Sequence, residues 1–332
     1  MELNSIERTI QPLLERYNEI SSRLLHSDVR LIGDITSHLY ARQGKQLRPL
    51  LTLLSAAACG MPTDAEEGHP VFRVAAAIEL LHNATLLHDD VVDESPLRRG
   101  QPSVNQQWGN KTAVLMGDYL LAHVMHILFQ LDNDEVTDLV NEAVTQMSEG
   151  ELLQQQCSGN LQTDADTYLR IIRQKTALLL SASCRAGALL ATDNKEWQAA
   201  LTEYGMQMGI AFQIRDDLLD FLPADITGKP QGNDLHERKI TLPLILAMKE
   251  AGGHNKEIFS ALIQQEMSDQ EVQRFIRLIA ESGALQATAH IEAHYIDAAR
   301  KPLKRLPPTP FRDALESLAE QLTITTETLK NE

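Results

Sequence analysis

Apolar residues recur at helical steps almost from one end of the chain to the other, and no stretch alternates as a half-buried strand does. In the first segment Ile10, Leu13, Leu14 and Tyr17 follow one another at three- and four-residue intervals. The same spacing predicts helices over 5–24, 28–41, 47–59, 70–93, 109–131, 134–157, 164–191, 194–222, 239–251, 254–265, 268–281, 283–304 and 308–329. Pro49, Pro70 and Pro243 fall near predicted helix starts, where a missing N–H does least harm. Two polar loops, 94–108 and 223–238, are rich in Gly, Pro, Lys and Arg, yet neither looks like a flexible linker. No repeat or Ser/Gly tract separates the halves, so the expectation is an all-α protein with a single domain over 1–332.

A formal net charge of −16 argues against nucleic acid, whose phosphates need clustered Lys and Arg. An acidic protein still binds diphosphates when metal ions stand between the like charges. No apolar run is expected to reach the roughly 20 residues of a membrane helix, so no integral membrane segment is expected. The N-terminus carries Glu2 and Glu7 and no apolar signal core, which fits a cytoplasmic protein. Cys59, Cys157 and Cys184 show no short metal-ligand spacing, and three cysteines cannot all pair.

The chemistry is concentrated in two acidic arrays. Leu86-Leu87-His88-Asp89-Asp90-Val91-Val92-Asp93 places Asp89 and Asp93 on one helix face, with Asp90 beside them. Like charges at that spacing repel, and divalent cations would relieve the repulsion. Alone, the array reads equally well as a solvated acidic helix end. Phe212-Gln213-Ile214-Arg215-Asp216-Asp217-Leu218-Leu219-Asp220 repeats the arrangement, pairing Asp216 with Asp220 and flanking them with Asp217. A second copy on a separate helix makes a chance surface charge hard to defend. Mg²⁺ prefers oxygen and bridges one or two carboxylates to substrate phosphates, so two such arrays would clamp a diphosphate.

Basic residues accompany both arrays. Arg98 and Arg99 follow the first, Lys229 and Lys239 follow the second, and Lys175-Thr176 lies on a helix between them. Each singly is an ordinary surface charge; their placement beside the arrays suggests phosphate contacts. Gly44-Lys45-Gln46-Leu47-Arg48-Pro49 opens a helix whose N-terminus favours an anion, a weak signal taken alone.

Together these residues resemble the trans-isoprenyl diphosphate synthase family across most of the chain. The resemblance is carried by Gly44-Lys45-x-x-Arg48-Pro49, by Asp89–Asp93 with Arg98-Arg99-Gly100, and by Gly117-Asp118-Tyr119-Leu120. Lys175-Thr176, Phe212-Gln213-x-x-Asp216-Asp217-x-x-Asp220, Gly228-Lys229-Pro230 and Lys239-x-Thr241-Leu242-Pro243 complete it in order. Gln43 departs from the pattern, where the family often has Gly.

The resemblance implies the isoprenoid synthase fold, with antiparallel helices around a central cavity, and three Mg²⁺ ions per active site. Asp89, Asp93 and Asp216 would ligate Mg²⁺ most directly, with Asp90, Asp217 and Asp220 ligating or supporting. Arg98, Lys175, Thr176, Gln213, Lys229 and Lys239 would hold an allylic diphosphate. Lys45, Arg48, His82 and Arg99 would hold isopentenyl diphosphate, although a lone helix histidine such as His82 is more often a packing residue. The implied assembly is a homodimer.

The implied reaction is ionisation of the allylic diphosphate and attack on the cation by isopentenyl diphosphate, with water excluded. Residues before Asp89 would wall a product tunnel, and Thr85 and Ala84 stand where the family's short-chain members carry a bulky aromatic floor. Helix rise puts Leu81 roughly 12 Å below Asp89, so a short farnesyl product would leave space below it. The run His82-Asn83-Ala84-Thr85-Leu86-Leu87-His88 also resembles the long-chain synthases, and the resemblance implies an all-trans product of about six to ten isoprene units centred on octaprenyl. The alternative is that Ala84 packs against a neighbouring helix. Rival readings are a shorter-chain synthase, a class I terpene cyclase, whose second metal motif is usually of an Asn/Ser/Glu type, and a regulatory subunit, which usually loses an array.

Overall fold

The computed structural model describes residues 6, 8–41, 44, 46–223, 231–250 and 268–321. Its helices in chain order are α1 (Gln11–Leu24), α2 (Arg30–Ala41), α3 (Leu47–Ala58) and α4 (Pro70–Val92), followed by α5 (Val104–Trp108), α6 (Asn110–Phe129) and α7 (Asp134–Cys157). Then come α8 (Ala165–Ile172), a π-helical turn (Arg173–Ala177), α9 (Leu178–Leu189) and α10 (Lys195–Leu219). The chain continues through α11 (Asn233–His236), α12 (Leu242–Glu250), α13 (Asp269–Glu281), α14 (Ala284–Leu303) and α15 (Pro310–Glu320). The helical expectation thus holds wherever it can be compared; the segment 254–265 lies outside the described residues.

Three local features depart from the sequence reading. The loop 94–108 carries two-residue strands, β1 (Leu97–Arg98) and β2 (Gln101–Pro102), paired antiparallel as Leu97 with Pro102 and Arg98 with Gln101. Their turn puts Arg99 and Gly100 at φ of 52° and 73°, the positive-φ pair of a tight hairpin, and two residues are too few to show alternation. The same loop also holds the short helix α5, which Gly109 at φ 84° separates from α6. The stretch 164–191 is one helical path interrupted by the π turn, which periodicity cannot reveal.

Contacts divide the chain into two compact units. The first comprises Met1–Glu142, Ala182–Thr202 and Arg305–Ser317. Its centre is α4, which packs on α1, α3, α5 and α6. Phe72, Val74, Ala75, Ile78 and Leu81 of α4 are buried, as are Tyr17, Leu50, Leu54, Leu120 and Val124 from its neighbours. Pro70 opens the helix, and the His69 ring nitrogen Nδ1 accepts the Val71 N–H at 3.3 Å.

The second unit comprises Ala143–Ser181, Glu203–Lys304 and Leu318–Glu332. There α12 packs on α8, α13 and α14. One cluster joins Leu218, Phe221, Leu235, Leu244, Phe275 and Ile279; another joins Tyr168, Ile172, Ile210, Ile214 and Leu242. Ser268 and Glu271 form a reciprocal capping box that starts α13.

One expectation needs correction. By length and composition alone α6 is apolar enough to cross a membrane. The reading missed it because Lys111, Asp118, His123 and His126 break the apolar run. One side of α6 lies against α4, with Ala113, Met116, Gly117, Leu120 and Val124 buried.

Candidate active site

The first array ends α4, and its three carboxylates have different surroundings. Asp89 and Asp93 are partly exposed, with Asp93 at the helix C-cap, whereas Asp90 is buried. Successive helix positions turn by about 100°, so the second aspartate of such an array points away from the first. The Arg98 guanidinium donates Nε–H and Nη2–H to Oδ1 of Asp90 at 2.8 and 2.6 Å. The Asn105 amide donates to the Asp90 carbonyl at 2.9 Å. Burial raises the Asp90 carboxyl above its ordinary range, and Arg98 opposes that shift. Asp90 therefore anchors the hairpin behind the array.

Beside this anchor lies a charged cluster built from Arg48 in the first turn of α3, Glu79 and His82 on α4, and Arg99 in the hairpin turn. Gly44 makes room for Arg99, since a Cβ at position 44 would stand 2.7 Å from its Nη2. Burial pushes the Arg48 guanidinium down to about 10, Glu79 resists and Arg99 adds to the fall. Nε of Arg48 and Oε2 of Glu79 are buried without a hydrogen-bond partner among the described residues. Burial, then Arg48, Arg99 and Arg98, hold the His82 ring well below the usual histidine range, so it is neutral.

Two small, partly open cavities adjoin this cluster and share Leu39, Asn83 and Arg99 as lining. The first also reaches Gly44 and Glu79, and the second Asp90 and Arg98. Lys45 lies outside the described residues. Glu79 escaped the sequence reading, although a lone acidic residue in an apolar run three positions before His82 was a usable signal.

The second array closes α10 and divides in the same way. Asp216 is exposed and Asp217 buried. The Tyr168 hydroxyl donates to Oδ2 of Asp217 at 2.6 Å, and the Gln213 amide donates to Oδ1 at 2.7 Å. The same Gln213 accepts from the Thr176 hydroxyl at 2.7 Å. Burial lifts the Asp217 carboxyl to about 7 against the pull of these donors. Asp220 accepts the backbone N–H groups of Asn233 and Asp234 at 3.0 Å each, which fastens α11 to the array. Asp234 is a further carboxylate here, raised well above its ordinary range by burial and then by Asp217 and Asp220.

Lys175 sits in the π turn and pairs with Glu151 at 2.6 Å, while Lys239 pairs with Glu237. The turn packs closely on α10, where a Cβ at Gly209 would fall 2.5 Å from the Ala177 Cα. Lys229 lies outside the described residues. Tyr168 and Asp234 gave no sequence signal, since their partners are distant in the chain.

Two acidic arrays with adjoining basic residues, on an all-helical frame, suit metal-assisted diphosphate chemistry, and comparison with known proteins agrees. Residues 29–279 match the polyprenyl synthetase family model. The chain belongs to the polyprenyl synthetase family. It is a trans-prenyltransferase of that family, and its homologues include long-chain synthases. An all-trans-nonaprenyl-diphosphate synthase from Rhodobacter capsulatus is 38% identical over 89% of both chains. The octaprenyl diphosphate synthase of Escherichia coli is 35% identical over 92% of this chain and 97% of its own. A Caulobacter crescentus polyprenyl synthase, solved with calcium and isoprenyl diphosphate, superposes with a TM-score of 0.91 at 36% identity over 97% of each chain. The fold is therefore that of the isoprenoid synthases.

Within this family frame the tunnel candidates lie on α4. Leu81 and Ala84 are buried, and Thr85 is partly buried with its hydroxyl donating to the His82 carbonyl at 2.8 Å. Neither of the two cavities is lined by these three residues; Leu80, Asn83, Leu86 and Leu87 line them instead. Among the described residues no three His, Cys, Asp or Glu side chains converge as a protein-only metal cage. The donor set suits an ion that takes one or two carboxylates here and the rest of its shell from diphosphate oxygens and water, as Mg²⁺ does.

Proposed function

We propose that the chain is a Mg²⁺-dependent synthase that adds isopentenyl diphosphate to an allylic diphosphate and releases an all-trans product of C35–C50, with octaprenyl the central expectation. The observation that carries this reading is the division of labour within each array. Asp89 and Asp93 are partly exposed and Asp216 is exposed, while Asp90 and Asp217 are buried against Arg98, Tyr168 and Gln213, and Asp220 fastens the backbone of α11.

The accessible carboxylates would hold Mg²⁺, which when bound supplies positive charge to stabilise the departing diphosphate. Lys175, Lys239 and Arg98 orient the allylic diphosphate and draw charge onto it as the C–O bond breaks. Thr176 and Gln213 contribute here by fixing the π turn against α10. Arg48, Arg99 and Lys45 hold isopentenyl diphosphate without metal, and neutral His82 adds a hydrogen bond without further crowding of positive charge. With the two substrates fixed, the isopentenyl double bond meets the allylic cation in an oriented encounter. The growing chain would run beside Ala84 and Thr85 on α4, where a bulkier side chain would obstruct it.

The protein acts as a cytoplasmic homodimer in this reading. Leu115, Asp118, Ala122, Met125 and Phe129 recur along one exposed side of α6, and Leu115 and Phe129 are 57% and 73% exposed. Such a stripe fits an isologous contact with a second copy. The reading is tested by incubating the purified chain with farnesyl diphosphate, labelled isopentenyl diphosphate and Mg²⁺, then sizing the dephosphorylated products. A C35–C50 ladder is expected. Arrest at C20 favours a short-chain synthase, and inactivity until another protein is added favours a regulatory subunit.

A further inference from the structure

The Asp217 carboxylate is closed off by the protein on both oxygens. Tyr168 reaches Oδ2 at 2.6 Å from α8, and Gln213 reaches Oδ1 at 2.7 Å from one turn earlier on α10. Gln213 is itself fixed by Thr176 at 2.7 Å. Two links therefore run from the segment 165–177 to the end of α10, one on each side of Lys175. Tyr168 is 2% exposed and Asp217 5%, so water cannot stand in for either partner without opening the core. The π turn is where a helix makes an extra residue fit, and such turns re-aim side chains at functional sites.

We propose that Tyr168 is a positioning residue for the metal–diphosphate site. By holding Asp217 it fixes the end of α10, and with it the direction of Asp216 and the register of Lys175 on the π turn. Tyr168 touches neither metal nor substrate; it acts through Asp217. The outer partners of metal-ligating groups generally matter in this way, because a ligand must be oriented before it binds. The inference rests on the reading that Asp216 and Lys175 serve the allylic diphosphate.

The test is Tyr168→Phe, which keeps the ring and removes only the hydroxyl. Direct binding of a non-reactive thio analogue of farnesyl diphosphate is measured calorimetrically as Mg²⁺ is raised. The variant is expected to fold, to weaken Mg²⁺-dependent analogue binding by about 10- to 100-fold, and to leave the KM for isopentenyl diphosphate unchanged. Asp217→Asn is the second variant. It should weaken binding to a similar degree, and the double variant should be no weaker than either single one. Unchanged Mg²⁺-dependent binding in Tyr168→Phe overturns the inference, as does additive loss in the double variant. If Tyr168→Phe does not fold, wild-type affinity in Asp217→Asn overturns it equally. A wild-type protein that binds the analogue identically with and without Mg²⁺ would instead overturn the underlying reading of the site.

Discussion

Arg98 and Asp90 are joined by two charge-assisted hydrogen bonds to a single carboxylate oxygen, at 2.8 and 2.6 Å, with the Asp90 side chain 4% exposed and that of Arg98 39% exposed. The pair ties the hairpin to the end of α4 and separates the aspartates of the first array into an anchor and two accessible carboxylates.

That separation predicts different losses along the array. Asp89→Ala or Asp216→Ala should lower kcat by about 100-fold or more with the melting temperature nearly unchanged, because each removes a site for Mg²⁺ charge at the leaving group. Asp90→Ala should instead destabilise the fold by about 1–3 kcal/mol, the cost of stripping partners from buried polar groups. Turnover and thermal melts on the three variants separate the cases. Full activity of the wild type in excess EDTA would defeat the metal assignment.

The two diphosphate sites should separate kinetically. Arg48→Ala should raise the KM for isopentenyl diphosphate about 10-fold or more, as expected for one lost hydrogen bond to a charged group. Lys239→Ala should act on the allylic substrate, through its KM or the ionisation step. Interchanged effects would show that the basic residues have been assigned to the wrong substrates.

Product length should respond to position 84. Ala84 is fully buried on α4, so Ala84→Phe must intrude on whatever space the growing chain uses. Products should shorten by several isoprene units while the first condensation continues. Unshortened products, or a variant that merely unfolds, would mean that Ala84 only packs against its neighbours.

Histidine 82 should make stability depend on pH with a definite sign. Its folded-state pKa lies well below the ordinary 6.5, first through burial and then through Arg48, Arg99 and Arg98. Below 6.5 the unfolded chain binds a proton that the folded protein refuses, so folding stability falls as pH drops through that value and is fully present above it. His82→Gln should flatten this part of the stability profile in urea titrations at pH 5 to 8. An unchanged slope would show that His82 takes up its proton in the folded protein as it does in the unfolded chain.

The exposed stripe on α6 should govern assembly. Leu115→Asp places a charge on that face, opposite the side packed on α4. Sedimentation should show a dimer for the wild type and a monomer for the variant. A wild-type monomer would remove the dimer from the proposal.

Much of this protein was legible in its sequence. Helical spacing is a local property of the chain, so the helices could be placed from periodicity, and the repeated Asp-Asp-x-x-Asp array pointed toward diphosphate chemistry assisted by a divalent metal. The tertiary structure decided which carboxylates are accessible. Asp89 and Asp90, like Asp216 and Asp217, are adjacent in sequence and alike in chemistry, but about 100° of helix turn sends one outward and the other into a core whose location depends on packing. Tyr168, Arg98 and Glu79 took their roles from partners on other elements, which spacing along the chain does not encode. The hairpin at Arg99 and the π turn at Lys175 were hidden for a related reason. Each is a few residues long, too short for a period, and is held in place by neighbouring elements rather than by its own propensity.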